Sequence, residues 1–285
     1  MQRELRGGGR VLSLEHPRVM GVLNITPDSF YDGGQLFSDG RADQEAILAR
    51  AEAMAAAGAH LLDIGGESTR PGATPVSTAE ELERVVPVVE CLADRVDVML
   101  SVDTSDPAVM TAAAAAGAHL LNDVRALTRD GALAAAAATG LPVCLMHMQG
   151  TPQTMQTAPR YEDPLGEVEA FLDARVATCV AAGIARDRLL IDPGFGFGKT
   201  VAHNLALLAG LPRLAARGLP LLVGLSRKSL IGRLLGRELE ERLAASLALA
   251  VLAAERGAAV VRAHDVRETA DALAMVTALR EGGET

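Results

Sequence analysis

Apolar residues in this chain gather into short β-branched runs separated by helical stretches, the pattern of repeated strand–helix units. Eight runs stand out: "RVMGVLNIT" from Arg18, "HLLDIGGES" from His60, "VMLSVDTS" from Val98, "HLLNDV" from His119, "PVCLMHM" from Pro142, "RLLIDPGFG" from Arg188, "PLLVGLSRKS" from Pro220 and "AAVVRAHD" from Ala258. Eight units close a (β/α)8 barrel, and every run ends in polar residues, as a site at one mouth requires. A doubly wound open sheet uses the same alternation and stays open as the alternative. Residues 1–17 precede the first unit, so the expectation is one barrel domain over 1–285 with an N-terminal hairpin or cover at the barrel bottom.

The intervening stretches carry helix signals. Ser77 with Glu80 reads as a capping box, and Asp106 before Pro107 and Asp163 before Pro164 each read as an N-cap acid ahead of a first-turn proline. Gly58, Gly117, Gly183 and Gly257 read as helix stops. Two stops repeat nearly verbatim, "AGAHLLD" from Ala57 and "AGAHLLN" from Ala116, each marking helix end, turn and next strand.

Composition narrows the picture. With 49% apolar residues, 2% aromatics and no Trp, the core must be aliphatic, as in buried parallel strands and the helices that cover them. A net charge of −9 argues against nucleic acid, which needs a basic face. No run of about 18 apolar residues is present and "MQRELRGGGR" lacks an apolar signal core, so the expectation is a cytoplasmic protein with no membrane association. Cys91, Cys144 and Cys179, odd in number and dispersed, read as unpaired core thiols.

The stretch "DPGFGFGKT" from Asp192 looks like a phosphate loop and is not one. The P-loop pattern puts a glycine five positions before Gly198, where Pro193 stands, and the dinucleotide fingerprint wants a third glycine where Lys199 stands. A nucleotide-hydrolase reading falls with Pro193. Of 27 basic residues only Lys199 and Lys228 are lysine. Either each is a position where a compact ammonium cannot be replaced by a planar fork, or two lysines survived by chance.

The C-terminal ends of the runs carry Asn24, Asp63, Glu67, Asp103, Asn122, Asp123, His147, Asp192, Ser226, Arg227, Lys228, Arg262 and His264. In a parallel barrel these converge. Carboxylates and amides read the donors and acceptors of a polar heterocycle, and Arg, Lys and His hold an anion. Together they suggest a neutral polar ring joined to a phosphate-like leaving group. Asp63 alternatively bonds within the barrel floor, His60 and His119 at strand starts read as structural, and His147 suits a core histidine or a ligand equally. Six scattered histidines without paired spacing do not make a metal protein.

Seven motifs in order, "NITPDSFYDGG", "GGESTRPG", "NDV", "MHMQGTPQTMQ", "DPGFGFGK", "GLSRKS" and "RAHD", resemble the dihydropteroate synthase family over essentially the whole chain. The resemblance implies a TIM barrel and the joining of 6-hydroxymethyl-7,8-dihydropterin diphosphate to 4-aminobenzoate with release of pyrophosphate. It assigns the pterin ring to Asp103, Asn122, Asp192, Lys228 and Arg262, and the pyrophosphate to Asn24, Thr69, Arg70, Arg262 and His264. Mg²⁺ is the implied cofactor, held by Asn24. The aminobenzoate falls to Phe30, Thr69, Arg70, Pro71, Phe195 and Ser229. A homodimer and sensitivity to sulfonamides belong to the same resemblance. Tyr31 departs from the small polar residue common in the family at that loop position.

An aromatic amine already carries its lone pair, so the hard step is ionisation of the carbon–oxygen bond to pyrophosphate. The resemblance implies that this bond breaks first, giving a pterin-stabilised cation that Asp32 could stabilise, with Asp103, Lys228 and Arg262 as the other catalytic groups. Two rivals remain at this level. Pterin-dependent methyltransferases share the ring-reading acids but not "NITPDSF", "STRPG" and "SRKS", and a non-catalytic pterin-binding paralogue would show gaps among the assigned positions, all of which are filled.

Overall fold

The computed structural model describes residues 4–26, 37–38, 41–68, 75–152 and 154–282. The strands in chain order are β1 (Glu4–Gly7), β2 (Arg10–Ser13), β3 (Arg18–Asn24), β4 (Phe37–Ser38), β5 (Arg41–Ala42), β6 (Leu61–Gly65), β7 (Met99–Asp103), β8 (Leu120–Asp123), β9 (Val143–Met146), β10 (Leu189–Asp192), β11 (Leu221–Gly224) and β12 (Ala258–Ala263). The helices are α1 (Gln44–Ala56), α2 (Thr78–Ala93), α3 (Pro107–Ala115), α4 (Ala132–Thr139), α5 (Pro164–Ala181), α6 (Val201–Ala215), α7 (Ser229–Leu235), α8 (Leu243–Glu255) and α9 (Val266–Arg280).

Strand β3 and strands β6 to β12 pair in parallel and in sequence order, and β12 returns to β3 with Val260 opposite Arg18. The eight runs are these eight strands. Closure removes the open doubly wound alternative, which has two edges.

Strand alternation then divides the core in two. Outward residues such as Leu62, Leu100, Leu121 and Val261 join the helices in one cluster. Inward residues Met20, Leu61, Met99, Leu120, Cys144, Leu190, Leu222 and Val260, one from each strand, form a second cluster with Leu5, Leu12 and Leu14. The antiparallel β1–β2 hairpin therefore plugs the barrel bottom, as expected of the N-terminal segment. Its fit is close: a Cβ on Gly7 would lie 2.1 Å from the His119 carbonyl oxygen. Cys144 belongs to this dry layer, where burial first and nearby carboxylates second push its thiol well up.

The repeated "AGAH" segments perform one structural task twice. His119 Nδ1 accepts from the Leu100 amide at 3.0 Å, and His60 Nδ1 from the Val19 amide at 3.4 Å. Each histidine satisfies an amide at the start of the preceding strand. The Ser77–Glu80 capping box is present, and the Asp106 carboxylate caps α3 through the Ala108 amide. Asp163 precedes α5 but makes no side-chain cap. Glu167, in the fourth helical position, instead accepts from the amides of Glu162 and Asp163, because its side chain reaches back where the cap side chain does not. Among the described residues no helix is long and apolar enough to cross a membrane.

Candidate active site

The same alternation that buries the bottom layer builds the site. Two residues beyond Leu61, Met99, Leu120, Leu190 and Val260 the inward positions are Asp63, Ser101, Asn122, Asp192 and Arg262, and two further on stands Asp103. Apolar layers thus give way to a polar floor within one strand repeat.

Asp63 is fully buried and organises that floor. Its Oδ1 accepts from Ser101 Oγ at 2.6 Å, and its Oδ2 from Asn122 Nδ2 at 3.0 Å and Arg262 Nε at 2.6 Å. A carboxylate can only accept, so the Asn122 carboxamide must turn its NH₂ inward. Arg262 Nη2 reaches Asp103 Oδ2 at 3.3 Å, so one guanidinium bridges two carboxylates. Burial, and then the charge of Asp63, push the Asp103 carboxyl upward against the pull of Arg262. The Asp192 carboxyl is likewise pushed up by burial.

Above the floor lies a cavity of about 430 Å³. Asn24, Ser226, Arg262 and His264 line one side, Glu67, Ser68 and Asp103 another, and Met155, Gln156, Gly196, Phe197, Lys228 and Ser229 the third. Residues 20–264 match the family described as pterin binding enzyme. The chain is 56% identical over 270 residues to the dihydropteroate synthase of Escherichia coli K12, covering 95% of this chain and 94% of that one. It is 48% identical to the Haemophilus influenzae dihydropteroate synthase over 95% of this chain and 96% of that one. Two solved structures are similar. The Yersinia pestis dihydropteroate synthase with a sulfonamide drug aligns with TM-score 0.93 at 55% identity, covering 98% of this chain and 99% of the other. The Xanthomonas albilineans dihydropteroate synthase with 7,8-dihydropteroate aligns with TM-score 0.86 at 50% identity, covering 97% and 98%. The chain belongs to the dihydropteroate synthase family.

Of the residues that the family resemblance assigns, the described structure brings together Asn24, Asp103, Lys228, Ser229, Arg262 and His264 around the cavity, with Asn122 and Asp192 buried beneath it. Phe30, Asp32, Thr69, Arg70 and Pro71 lie outside the described residues, as do Asp28 and Tyr31. Phe195 needs correction. It is 1% exposed in the outer hydrophobic cluster, and among the described residues the phenylalanine that lines this synthase-family cavity is Phe197. The reason is the turn itself: Gly194 and Gly196 have φ of 69° and 82°, so the chain coils after β10 instead of continuing a strand's alternation.

Lys228 Nζ lies 4.2 Å from the centroid of the Phe197 ring. Burial, and then the Arg262 charge, push its ammonium down, while Asp192 and Asp103 oppose the shift. The Ser226 hydroxyl, in the same turn, accepts from the His264 amide at 3.2 Å and lies 3.0 Å from His264 Nδ1. If that hydroxyl donates to Nδ1, the ring proton sits on Nε2. Burial, and then Arg262, lower the imidazole to about 3, so it is neutral near pH 7 and offers an N–H without a competing charge.

Three supporting residues carried no assignment from the sequence. Arg227, between Ser226 and Lys228, holds φ at 55°, a left-handed conformation costly for a residue with a Cβ. Its guanidinium donates to both oxygens of Asp265 at 2.8 and 2.7 Å and to the Leu239 carbonyl at 3.0 Å, which keeps the turn in place. Asp63, read as a bond within the floor, is that and also the anchor of Arg262. Lys199 is buried and braces the loop it follows. His147 is a core histidine bonded to Lys199, lowered to about 3 by burial and then the lysine charge. Ser229 opens α7, only seven residues long, so its hydroxyl matters more at the cavity than any helix field.

Proposed function

We propose that this cavity joins 6-hydroxymethyl-7,8-dihydropterin diphosphate to 4-aminobenzoate, forming 7,8-dihydropteroate and pyrophosphate. The observation that carries the reading is the floor: carboxylates, a carboxamide and a guanidinium packed at the strand ends beneath a cavity that Lys228 and the Phe197 ring also line. Asp103, Asn122 and Asp192 match the alternating donors and acceptors of a pterin edge, and Lys228 supplies a donor to its acceptor side. Arg262 lies across the ring with its plane held by Asp63 and Asp103.

Asn24, Arg262 and His264 face the leaving group. A neutral His264 donates one hydrogen bond and Arg262 a charge, while the carboxylates lie under the ring where positive charge develops after the carbon–oxygen bond ionises. The amine then attacks the exocyclic methylene with its own lone pair, and its proton leaves to solvent or to pyrophosphate. The Phe197 and Met155 side of the cavity keeps water from the cation.

Asn24 suits Mg²⁺ in one specific way. A lone strand-end amide oxygen is too little for a protein-built cage, yet it fits an ion that keeps waters and phosphate oxygens as its other ligands. The ion would arrive with the diphosphate and neutralise its charge. A cytoplasmic homodimer completes the reading; exposed Leu252 on α8 and Met275 and Leu279 on α9, the last two more than 70% exposed, support pairing of copies.

The test is direct. Purified protein receives the pterin diphosphate, Mg²⁺ and 4-aminobenzoate, and dihydropteroate and pyrophosphate are quantified. Tight pterin binding without product would replace the enzyme with a non-catalytic binding protein.

A further inference from the structure

The loop from Gly194 to Gly198 is tied to its neighbours by several side chains. Asn204 Oδ1 accepts from the Gly196 amide at 2.8 Å, Gln156 Nε2 donates to the Gly196 carbonyl at 2.6 Å, and the Tyr161 hydroxyl donates to the Gly198 carbonyl at 2.9 Å. The carbonyls of Gly194 and Phe197 converge on one group. Lys199 Nζ lies 2.9 Å from Gly194 O, 2.9 Å from Phe197 O, 3.0 Å from His147 Nδ1 and 3.3 Å from His147 O. In the ammonium form, whose pKa burial lowers to about 7 against the support of Asp192, its three N–H bonds meet the three nearest acceptors, so that form staples the loop after β10 to the end of β9. A planar guanidinium cannot point its donors at acceptors grouped around one point, which accounts for a lysine in a chain that otherwise writes arginine.

The staple is one-sided. Lys199 is 2% exposed and does not line the cavity, whereas Gly196 and Phe197, on the front of the same loop, do. The backbone leaves no slack: a Cβ on Gly194 would sit 1.9 Å from the His147 carbonyl oxygen, and one on Gly198 2.6 Å from that of Gln149. With the loop this close to its neighbour, losing the ammonium takes the donor from the Phe197 carbonyl and leaves the Gly194 carbonyl only the Phe197 amide, and the loop must move to solvate the orphaned group.

We propose that Lys199 is a positioning residue: its ammonium fixes the Gly194–Gly198 loop so that Phe197 forms the wall against the aromatic amine, and it thereby sets affinity for that substrate far more than for the pterin diphosphate. This rests on the reading of the cavity given above. Of the groups given to the pterin, Asp63, Asn122 and Arg262 share no hydrogen bond with the loop, and Asp192 meets it only through the Gly194 amide at 2.7 Å, a bond that does not involve the ammonium, so the amine affinity is the more exposed to the staple.

The experiment compares the full-length wild type with Lys199→Met, Phe197→Ala and the double variant, measuring KM for each substrate and kcat. Lys199→Met is expected to raise KM for 4-aminobenzoate about tenfold with KM for the pterin diphosphate within about twofold. In the Phe197→Ala background the same change is expected to add less than about twofold, because the residue through which Lys199 acts is gone. Lys199→Arg should fail to restore the wild-type constant. Equal rises in both KM values, or undiminished effects in the Phe197→Ala background, would overturn the role. Should Lys199→Met not fold, Tyr161→Phe decides: it removes one tether while leaving the ammonium, and an unchanged amine KM would refute control by the loop. A wild type that makes no dihydropteroate refutes the function instead, a result distinct from any of these.

Discussion

Asp63→Asn is the sharpest perturbation of the floor because it removes a charge while keeping the shape. An asparagine can place its carbonyl where Oδ2 accepts from Asn122 and Arg262, and its NH₂ toward Ser101 Oγ, whose hydroxyl rotates to accept. The hydrogen-bond count therefore survives, and the loss is the ion pair at 2.6 Å between a fully buried carboxylate and a guanidinium about a fifth exposed. Breaking a buried pair costs about 3–5 kcal/mol. Arg262 keeps Asp103 at 3.3 Å, which places the expected loss at the low end, about 3 kcal/mol. Urea unfolding followed by circular dichroism at pH 7.5 measures it. A second readout is local. Asp63 is, after burial, the largest influence raising the Asp103 carboxyl, so the Asp103 carbon resonance should titrate at lower pH in the variant. A destabilisation below about 1 kcal/mol with an unmoved Asp103 titration would show that Asp63 does not anchor the floor.

Three further outcomes follow from the geometry. Glu81 is 3% exposed with Oε1 unpartnered among the described residues, and burial raises its carboxyl from 4.5 to about 6. Its neutral form is favoured in the fold, so it weakens the protein as pH rises from about 4.5 to about 6 and the cost, about 2 kcal/mol, persists above that. Glu81→Gln should lose that slope in urea unfolding across the same range, and parallel curves for the two proteins would contradict it. Phe195→Ala should cost about 3–5 kcal/mol, as a fully buried phenylalanine does, while Phe197→Ala should cost little stability and weaken aromatic amine binding; the reverse pattern would restore Phe195 to the cavity. Lys228→Arg should raise pterin KM about tenfold, since a longer planar fork cannot put its donors where the compact ammonium sits, 4.2 Å from the Phe197 centroid; an unchanged KM and kcat would remove the argument from scarce lysines.

What the sequence revealed, and what it hid, divides along a physical line. Strand alternation is a fixed period of two, so the polar residue at the end of each apolar run had to face inward, and Asp103, Asn122, Asp192 and Arg262 were legible before any coordinates. The repeated "AGAH" segments were legible too, because the strand-start histidine meets the same amide geometry each time. Phe195 and Phe197 are also two apart, but they stand in a turn. Three glycines with φ of 69°, 82° and 60° set the path there, and a residue that tolerates both signs of φ leaves no periodic trace in its neighbours.

The same distinction explains the supports. Asp63 and Arg227 act through partners 199 and 38 positions away, Arg262 and Asp265, and no local pattern encodes such pairings. Lys199 left one trace, its rarity as a lysine, which pointed to a compact ammonium without saying what it holds. The holding is distributed over both sides of the chain's path: the loop's own carbonyls at Gly194 and Phe197, and the end of a strand some fifty residues earlier at His147. A loop whose backbone alone looked like a phosphate cradle is thus specified by the cation behind it. Glycines give that loop its permitted shapes, and Lys199 selects among them the one that turns Phe197 toward the cavity and its carbonyls away.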